Sequence, residues 1–466
     1  MSVPLPYATS SEKPLPRQRS LPRAYLLPAL FLLAHIPLAL LMRQSSYVTL
    51  AHYFLTLTIG LLVVVQRHGT ERVMYVAAYI TGSEVLWRMA KLGLFWEIGK
   101  YTVVLLLLLS IYRSGRIQFQ MLPMLYFLLL LPSAVPVFVE EGFSGARKGL
   151  SANLSGPLSL MVCVWFFSRL RVSRKELDRL LLFMIGPIVC ISIFALFGIT
   201  AAEKITFGTE SNFQTSGGFG PNQVSSILGL GMVIALFCAL NDRIPLFWRT
   251  LMIGLAVLFL AQSALTFSRS GLYNGLGSLV VALVFLIRDP RKRIEFLFSL
   301  FFAVLLTAWL VWPMLNDFTG GKLEERFSET QTSNRTEIAA ADLELFSQHL
   351  LLGVGPGQAK YERNFSVASA AHTEFSRMLG EHGVFGLASL ILLLTMSMIA
   401  VWKAPPPFSR SIASAFVCFA LLYMTHAAMR TVIPGFMFGL AFLALREPET
   451  SNTKPGNGSR HAIEAP

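Results

Sequence analysis

Leu180–Thr200 reads LLLFMIGPIVCISIFALFGIT, a run without a charged residue. At about 1.5 Å per residue, a helix of this length covers the roughly 30 Å hydrocarbon core of a bilayer. Directly before it stand Arg169, Arg171, Arg174, Lys175 and Arg179, a basic group of the kind that marks the cytoplasmic end of a span. The same unit, an apolar run with basic residues at one end, recurs along the chain. Backbone groups in lipid must find hydrogen-bond partners within their own segment, so an open chain crosses as helices. The expected architecture is all-α: a polytopic integral membrane protein with about 14 transmembrane helices and one large periplasmic loop. The helices are expected at 24–42, 47–65, 73–90, 95–112, 119–139, 154–168, 180–200, 222–240, 247–266, 270–287, 294–313, 376–401, 411–427 and 431–445.

Composition points the same way. Of 466 residues, 54% are apolar and 14% are charged, against about a quarter charged in a soluble domain. That excludes an ordinary soluble enzyme. The formal charge of +13 does not indicate nucleic acid. Most of the Lys and Arg fall in the two tails and in alternate short loops, so their sorting sets topology. An even number of spans then leaves both termini cytoplasmic. The first apolar run follows a basic tail but is too long for a cleaved signal and has no small-residue cleavage site, so it is read as an anchor. Cys163, Cys190, Cys238 and Cys418 lie alone in separate apolar runs and read as small buried side chains. No internal repeat is evident. The expected organisation is a disordered tail (1–23), eleven helices (24–313), a periplasmic loop (314–375), three helices (376–445) and a second disordered tail (446–466). Within the loop, Arg335–Gln348 has the composition of an amphipathic helix, and Leu351–Gly357 reads as a turn.

Three outward-facing patches concentrate the polar residues. Ser216–Gln223 (SGGFGPNQ) precedes one helix and reads locally as a glycine turn with Asn222 near the cap. Thr266–Gly271 (TFSRSG) is a tight hairpin whose Arg269 sits at a membrane boundary, where snorkelling is the ordinary reading. The loop carries Asn334-Arg335, the Gly353–Gly357 turn, and Ala371-His372-Thr373-Glu374 followed by Glu381-His382-Gly383. The turn lacks the Lys-Ser/Thr of a nucleotide phosphate loop, so it is not an ATP site. Sugar transfer on the outer face must draw on a donor already activated in the membrane, a polyprenyl diphosphate. The diphosphate calls for Arg forks, and the acceptor hydroxyl calls for a base that titrates near neutral pH, such as His. Arg269, Arg335 and His372 supply both.

In these residues the chain resembles the O-antigen ligase and O-antigen polymerase superfamily of bacterial envelope enzymes. The resemblance rests on an ordered set: GGFGPNQ before a span, TFSRSG at a later hairpin, then NRTEI, LFSQHLLLGVGPGQ and AHTEFSRMLGEHGVFGL in one long loop. It is strong over about 210–390 and limited to hydropathy over the first 200 residues. It implies an all-helical, metal-independent glycosyltransferase of the bacterial inner membrane, with no cofactor and with its active site on the periplasmic face. It also implies two partners: a polyprenyl-diphosphate-linked saccharide donor, and a sugar acceptor that is either lipid A–core or growing polysaccharide. Carried across, the catalytic residues are His372, Arg269 and Arg335. Asn222, Ser268, Arg430 and Glu374 are assigned to substrate binding. The family often has Asn directly after the His, where this chain has Thr373, which removes any acceptor contact by that amide.

The metal-free reading agrees with the residues themselves, since there is no Asp-x-Asp and the outer Glu residues do not cluster with His. Glu140-Glu141 reads as a solvated loop. Glu84 and Arg88, four apart, have the spacing of an ion pair within a span. Lys91 and Lys100 are expected to add positive potential near the outer surface. His349 and His382 read as structural, and His35, His52 and His426 as hydrogen-bonded core residues. The alternative from another class is a flippase for lipid-linked oligosaccharides. Paired halves and midplane helix breaks would favour it, whereas here the polar residues gather in one asymmetric loop. Sugar identity, linkage, stereochemistry and the choice between ligase and polymerase are not legible.

Overall fold

A computed structural model describes residues 23–66, 69–115, 118–200, 205, 207, 208, 210–241, 244–288, 290–328, 335–363, 372–405 and 407–446. The expected disordered tails lie outside these, apart from the residues at their inner ends. The chain runs through α1 (Arg23–Gln44), α2 (Ser46–Val65), α3 (Gly69–Met89), α4 (Ile98–Arg113), α5 (Met121–Leu128) and α6 (Ala134–Phe167). It continues through α7 (Arg174–Thr200), α8 (Pro221–Ala239), α9 (Leu246–Leu265), α10 (Ser270–Leu286) and α11 (Pro290–Leu306). A π-helical turn (Thr307–Val311) leads into α12 (Trp312–Phe318), then α13 (Lys322–Ser328), α14 (Arg335–Gln348) and α15 (Ala359–Glu362). The last helices are α16 (Glu374–Lys403), α17 (Phe408–Ala427) and α18 (Ile433–Leu440). Among the described residues the only strands are two short ones, β1 (Arg171–Val172) and β2 (Ala444–Leu445), paired in parallel with Arg171 opposite Ala444.

Among the described residues, 9 helices are long and apolar enough to cross a membrane: α1, α2, α6, α7, α8, α9, the continuous stretch Phe296–Phe318, α16 and α17. The other expected spans are shorter or more polar. The helix expected at 119–139 is interrupted, because α5 ends at Leu128 and a turn through Pro132 and Ser133 precedes α6. The apolar side chains of Leu128–Leu131 conceal that break from hydropathy. The helix expected at 154–168 instead belongs to a 34-residue element that opens at Ala134 and breaks at Gly142, where φ is 66°. The last expected span contains an 8-residue helix, α18, about 12 Å long. It lies against α6, with Gly435 over Ser159 and Leu160 and Gly439 over Cys163, where a Cβ would collide with backbone. This small-xxx-small contact lets two backbones approach closely where lipid gives no hydrophobic drive between helices.

The same device builds the centre. α8 is buried almost throughout and packs on α10 with Gly229 against the Gly271 carbonyl and Gly271 against that of Ser225. α1, α2 and the α11–α12 stretch are peripheral and carry the exposed apolar side chains, Trp309 at 83% exposure among them. Two further local signals set helix starts. Ser173 and Glu176 form a reciprocal cap at the head of α7, the Glu176 carboxylate accepting from the Ser173 amide at 2.7 Å. Thr373 caps α16 by accepting from the Phe375 amide.

Polar groups between the helices are tied in chains. Trp87 Nε1 donates to His52 Nδ1 at 2.9 Å, which leaves His52 Nε2 to donate to the Tyr79 hydroxyl at 2.8 Å. That hydroxyl donates in turn to His35 Nε2 at 3.2 Å, and His35 Nδ1 donates to the Phe31 carbonyl at 2.7 Å. Every link is satisfied with both imidazoles neutral, which is what an apolar bundle requires. Glu84 and Arg88 form the ion pair their spacing permits, at 2.6 Å. The four cysteines are free thiols, three of them buried and Cys418 half-buried.

Candidate active site

One end of the bundle gathers the start of α8, the α9–α10 hairpin, α13, the start of α14, the residue before α16, and the turn after α17. The hairpin is fastened to α8 by hydroxyls. Ser268 Oγ donates to Asn222 Oδ1 at 2.7 Å, Ser270 Oγ donates to the Asn222 carbonyl at 3.1 Å, and the Gly271 amide donates to Ser225 Oγ at 3.0 Å. Phe267, at the hairpin tip, holds a φ of 57°, a conformation rare for a bulky side chain. It is kept there by stacking on Phe207, with centroids 5.5 Å apart, and by Arg326, whose Nε donates to its carbonyl at 3.0 Å. Arg269 returns the contact, donating to the Arg326 carbonyl at 2.6 Å. The hairpin and α13 are thereby clasped.

Arg335, the first residue of α14, donates to His426 Nδ1 at 3.3 Å. Burial, and after it the positive charges of Arg326, Arg269 and Arg430, hold its guanidinium below the ordinary arginine value. Burial likewise lowers Arg430, against the raising influence of Tyr423 and with Arg377 adding to the lowering. His372 completes the group. Its imidazole bonds the His426 carbonyl, and its own carbonyl accepts from the Ala428 amide at 3.0 Å. Its Nδ1 is buried with no partner among the described residues. Burial, then the charges of Arg430 and Arg335, push its pKa down to about 4, only partly offset by the His426 carbonyl. At neutral pH the side chain is therefore an uncharged imidazole among guanidinium groups.

Two cavities flank Arg430. The smaller, about 190 Å³, is walled by Ser211, Phe213, Gly220–Gln223, His426, Ala427 and Arg430. The larger, about 380 Å³, opens among the outer ends of α4, α6, α15 and α16. The turn between them is held rigidly. Arg88 donates to the Arg430 carbonyl at 2.9 Å and to Gln223 Oε1 at 2.9 Å, while Glu84 accepts from the Val432 amide at 2.6 Å. The ion pair within α3 thus anchors the turn that carries Arg430.

The structure brings Arg269, Arg335, His372 and Arg430 into one electrostatic neighbourhood, with Asn222 and Ser268 bonded to each other at its edge. Glu374 lies deeper: it is ion-paired with Arg377 and accepts from the Met429 amide at 3.2 Å, and it also lines the larger cavity. Asn334 and Ala371, quoted within the motifs, lie outside the described residues. The Gly353–Gly357 turn is spent on α16, Val354 and Gly355 amides bonding the Gly380 and Glu381 carbonyls at 3.0 Å each. His382 is structural, bonded to Ser133 Oγ at 2.5 Å. His426, read from the sequence as a core residue, instead meets Arg335. Arg326 was not singled out at all, because nothing in KLEERFS marks one arginine as reaching a hairpin 59 positions earlier. Among the described residues, no three His, Cys, Asp or Glu side chains converge to hold a metal ion.

The segment carrying most of these residues has a family assignment. Residues 255–391 match the family model described as O-antigen ligase. Over this segment the chain is similar to the O-antigen ligase superfamily. The chain is a multi-pass membrane protein, and the matched family is one of glycosyltransferase-type enzymes. The segment includes Arg269, Arg326, Arg335, His372 and Glu374, while Asn222, His426 and Arg430 approach it from outside the matched segment. No curated protein matches the chain.

Proposed function

We propose that the protein transfers a saccharide from a polyprenyl diphosphate to a sugar hydroxyl on the periplasmic face of the bacterial inner membrane, both termini being cytoplasmic. The observation that carries this reading is the gathering of Arg326, Arg269 and Arg430 about Arg335, with Arg430 and Arg335 also acting on an uncharged His372. Like charges brought together and desolvated raise one another's free energy, and a diphosphate relieves that repulsion while accepting forked hydrogen bonds. The acceptor oxygen attacks the anomeric carbon, the bond from that carbon to the diphosphate oxygen breaks, and the bonding pair leaves with the diphosphate. Arg269 and Arg335 neutralise the charge that develops on it, and Arg430 and the Asn222–Ser268 pair position it. His372 takes the proton from the acceptor hydroxyl.

An imidazole held near pKa 4 is a weak base, but a bound diphosphate opposes the arginine charges and raises its proton affinity. Donor binding thereby arms the base. Ligase and polymerase differ only in the acceptor, lipid A–core in one case and growing polysaccharide in the other. The decisive assay uses purified full-length protein in vesicles with a synthetic polyprenyl-diphosphate disaccharide. Transfer is expected to vanish in Arg269→Ala and His372→Ala, and full activity in both would sink the residue assignment. A lipopolysaccharide gel of a deletion strain separates the acceptors: loss of all capped core indicates ligase, and survival of a single-repeat band indicates polymerase.

A further inference from the structure

We infer that the larger cavity is an acceptor subsite built for a saccharide that carries a negative charge, a hexuronate or a sugar phosphate. That it holds the acceptor rests on the transferase reading above. That it recognises an anionic sugar rests on the cavity itself. Arg430 lines both cavities, and Ala428, whose amide bonds the His372 carbonyl, lines the larger one. The larger cavity therefore adjoins the turn that carries Arg430, one of the charges acting on the proposed base.

Its walls have the mixed character of a sugar site. Trp96 and Tyr361 expose 49% and 63% of their surface, and each ring carries a cation over one face, Arg88 on Trp96 and Lys360 on Tyr361, which leaves the other for the apolar face of a pyranose. Asn153 and Gln358 add amide groups that both donate and accept. The decisive feature is the charge balance. The wall carries the carboxylates Glu97, Glu141, Glu374 and Glu381, of which Glu374 and Glu381 share Arg377 and Glu141 accepts from Gln358 Nε2 at 2.7 Å. With Arg363 set against Asp342, the cations Lys100, Lys148, Lys360, Arg377 and Arg430 still outnumber them. Among the described residues, Lys100, Lys148 and Lys360 are in no ion pair, and Lys360 lies over the Tyr361 ring, 4.4 Å from its centroid.

Lys100 is the telling case. It is 1% exposed, and its ammonium makes one long hydrogen bond, 3.4 Å to the Met429 carbonyl. The carboxylates that act on it are Glu84, Glu97 and Glu374. Glu84 is held by Arg88 and the Val432 amide, and Glu374 by Arg377 and the Met429 amide. Only Glu97, three residues earlier on the same chain, is uncommitted among the described residues. A buried ammonium so thinly solvated is costly to keep, and methionine would fill the same space without that cost. A carboxylate or phosphate among Lys100, Lys148 and Lys360 would meet the unbalanced charge, as a neutral sugar would not.

The test is binding of a glucuronate tetrasaccharide to the full-length protein in nanodiscs, by calorimetry, beside its carboxyl-reduced counterpart. The acidic probe is expected to bind at least about tenfold more tightly than the reduced one, and Lys100→Met to lose about as much. The exposed Lys148→Ser and half-buried Lys360→Ser variants keep the test alive should Lys100→Met fail to fold, each with a loss of about threefold. A glucose 6-phosphate-terminated oligosaccharide that binds in place of the uronate also supports an anionic site and assigns phosphate as the group read. Equal binding of acidic and reduced probes, binding of neither together with no binding of the phosphorylated probe, or indifference to all three lysine changes overturns it. Because no donor is present, Arg269→Ala should leave uronate binding intact, so failure of the diphosphate assignment and failure of this one give different results.

Discussion

Two sets of arginines lie near one end of the helix bundle, and they are held in opposite ways. Arg363 is ion-paired with Asp342, which also accepts from Ser376 Oγ at 2.7 Å, and Arg377 is gripped by Glu374 and by Glu381 at 2.7 Å. These networks lace α14, α15 and α6 onto the first turns of α16, Arg377 reaching Asn153 of α6 at 3.0 Å. Arg269 and Arg326 instead donate to backbone carbonyls of one another's loops, and Arg335 is lowered by three other guanidinium groups. A buried arginine matched to a carboxylate is a structural tie whose loss strands the partner's charge. Arginines that share a neighbourhood are, on the proposed function, those that meet the diphosphate. The contrast separates fold from chemistry better than burial or sequence spacing does.

Substitutions can break that comparison, and the largest expected effect is at His372. His372→Ala should lower kcat for transfer by roughly 10²–10⁴-fold with an unchanged thermal midpoint, and a matching loss of stability would reassign the residue to the fold. Removing the structural tie should do the reverse. Asp342→Ala leaves Arg363 buried without its carboxylate, at a cost of about 3–5 kcal/mol, read as a lower melting temperature in detergent or as failure to accumulate. If Asp342→Ala melts like the parent, the two arginine sets are not distinct in kind. Arg335→Lys keeps the charge but loses the fork, and should cost transfer about 10–100-fold with stability retained. Measured donor affinity in the same variant shows whether the loss is in binding.

The smallest effect is on pH dependence, and it sharpens the mechanism. Because the folded protein holds His372 at about 4, below its ordinary 6.5, the neutral base persists as pH falls and is lost only near 4. The acid limb of kcat/KM is therefore expected near pH 4. The diphosphate raises the pKa in the complex, so the acid limb of kcat should lie at higher pH. Coincident limbs at about 6.5 would show that the arginines do not bear on the base.

Much of this was legible along the chain. α14 spans the residues its composition indicated. The hairpin, the α8 start and the loop histidine stand out because polar residues at membrane boundaries are few. What escaped did so for definite reasons. The break after α5 is invisible to hydropathy because its side chains are apolar on both sides of it. Gly142 and Gly383 interrupt α6 and α16 with φ of 66° and 58°, and a lone glycine in an apolar run does not announce which conformation it takes. His426 and Arg326 joined the site only because α17 ends, and α13 passes, where the hairpin turns.

Length, hydropathy and the sorting of basic residues were enough for an all-helical membrane protein, since the bilayer imposes the helix and its length on each segment separately. Which charges are paired is a different kind of fact. Glu84 meets Val432 across 348 positions and Arg88 meets Arg430 across 342, distances at which no local periodicity carries information. Only the packing of helix ends, set by glycine contacts such as Gly229 on Gly271, decided which arginines are tied to carboxylates and which gather about Arg335.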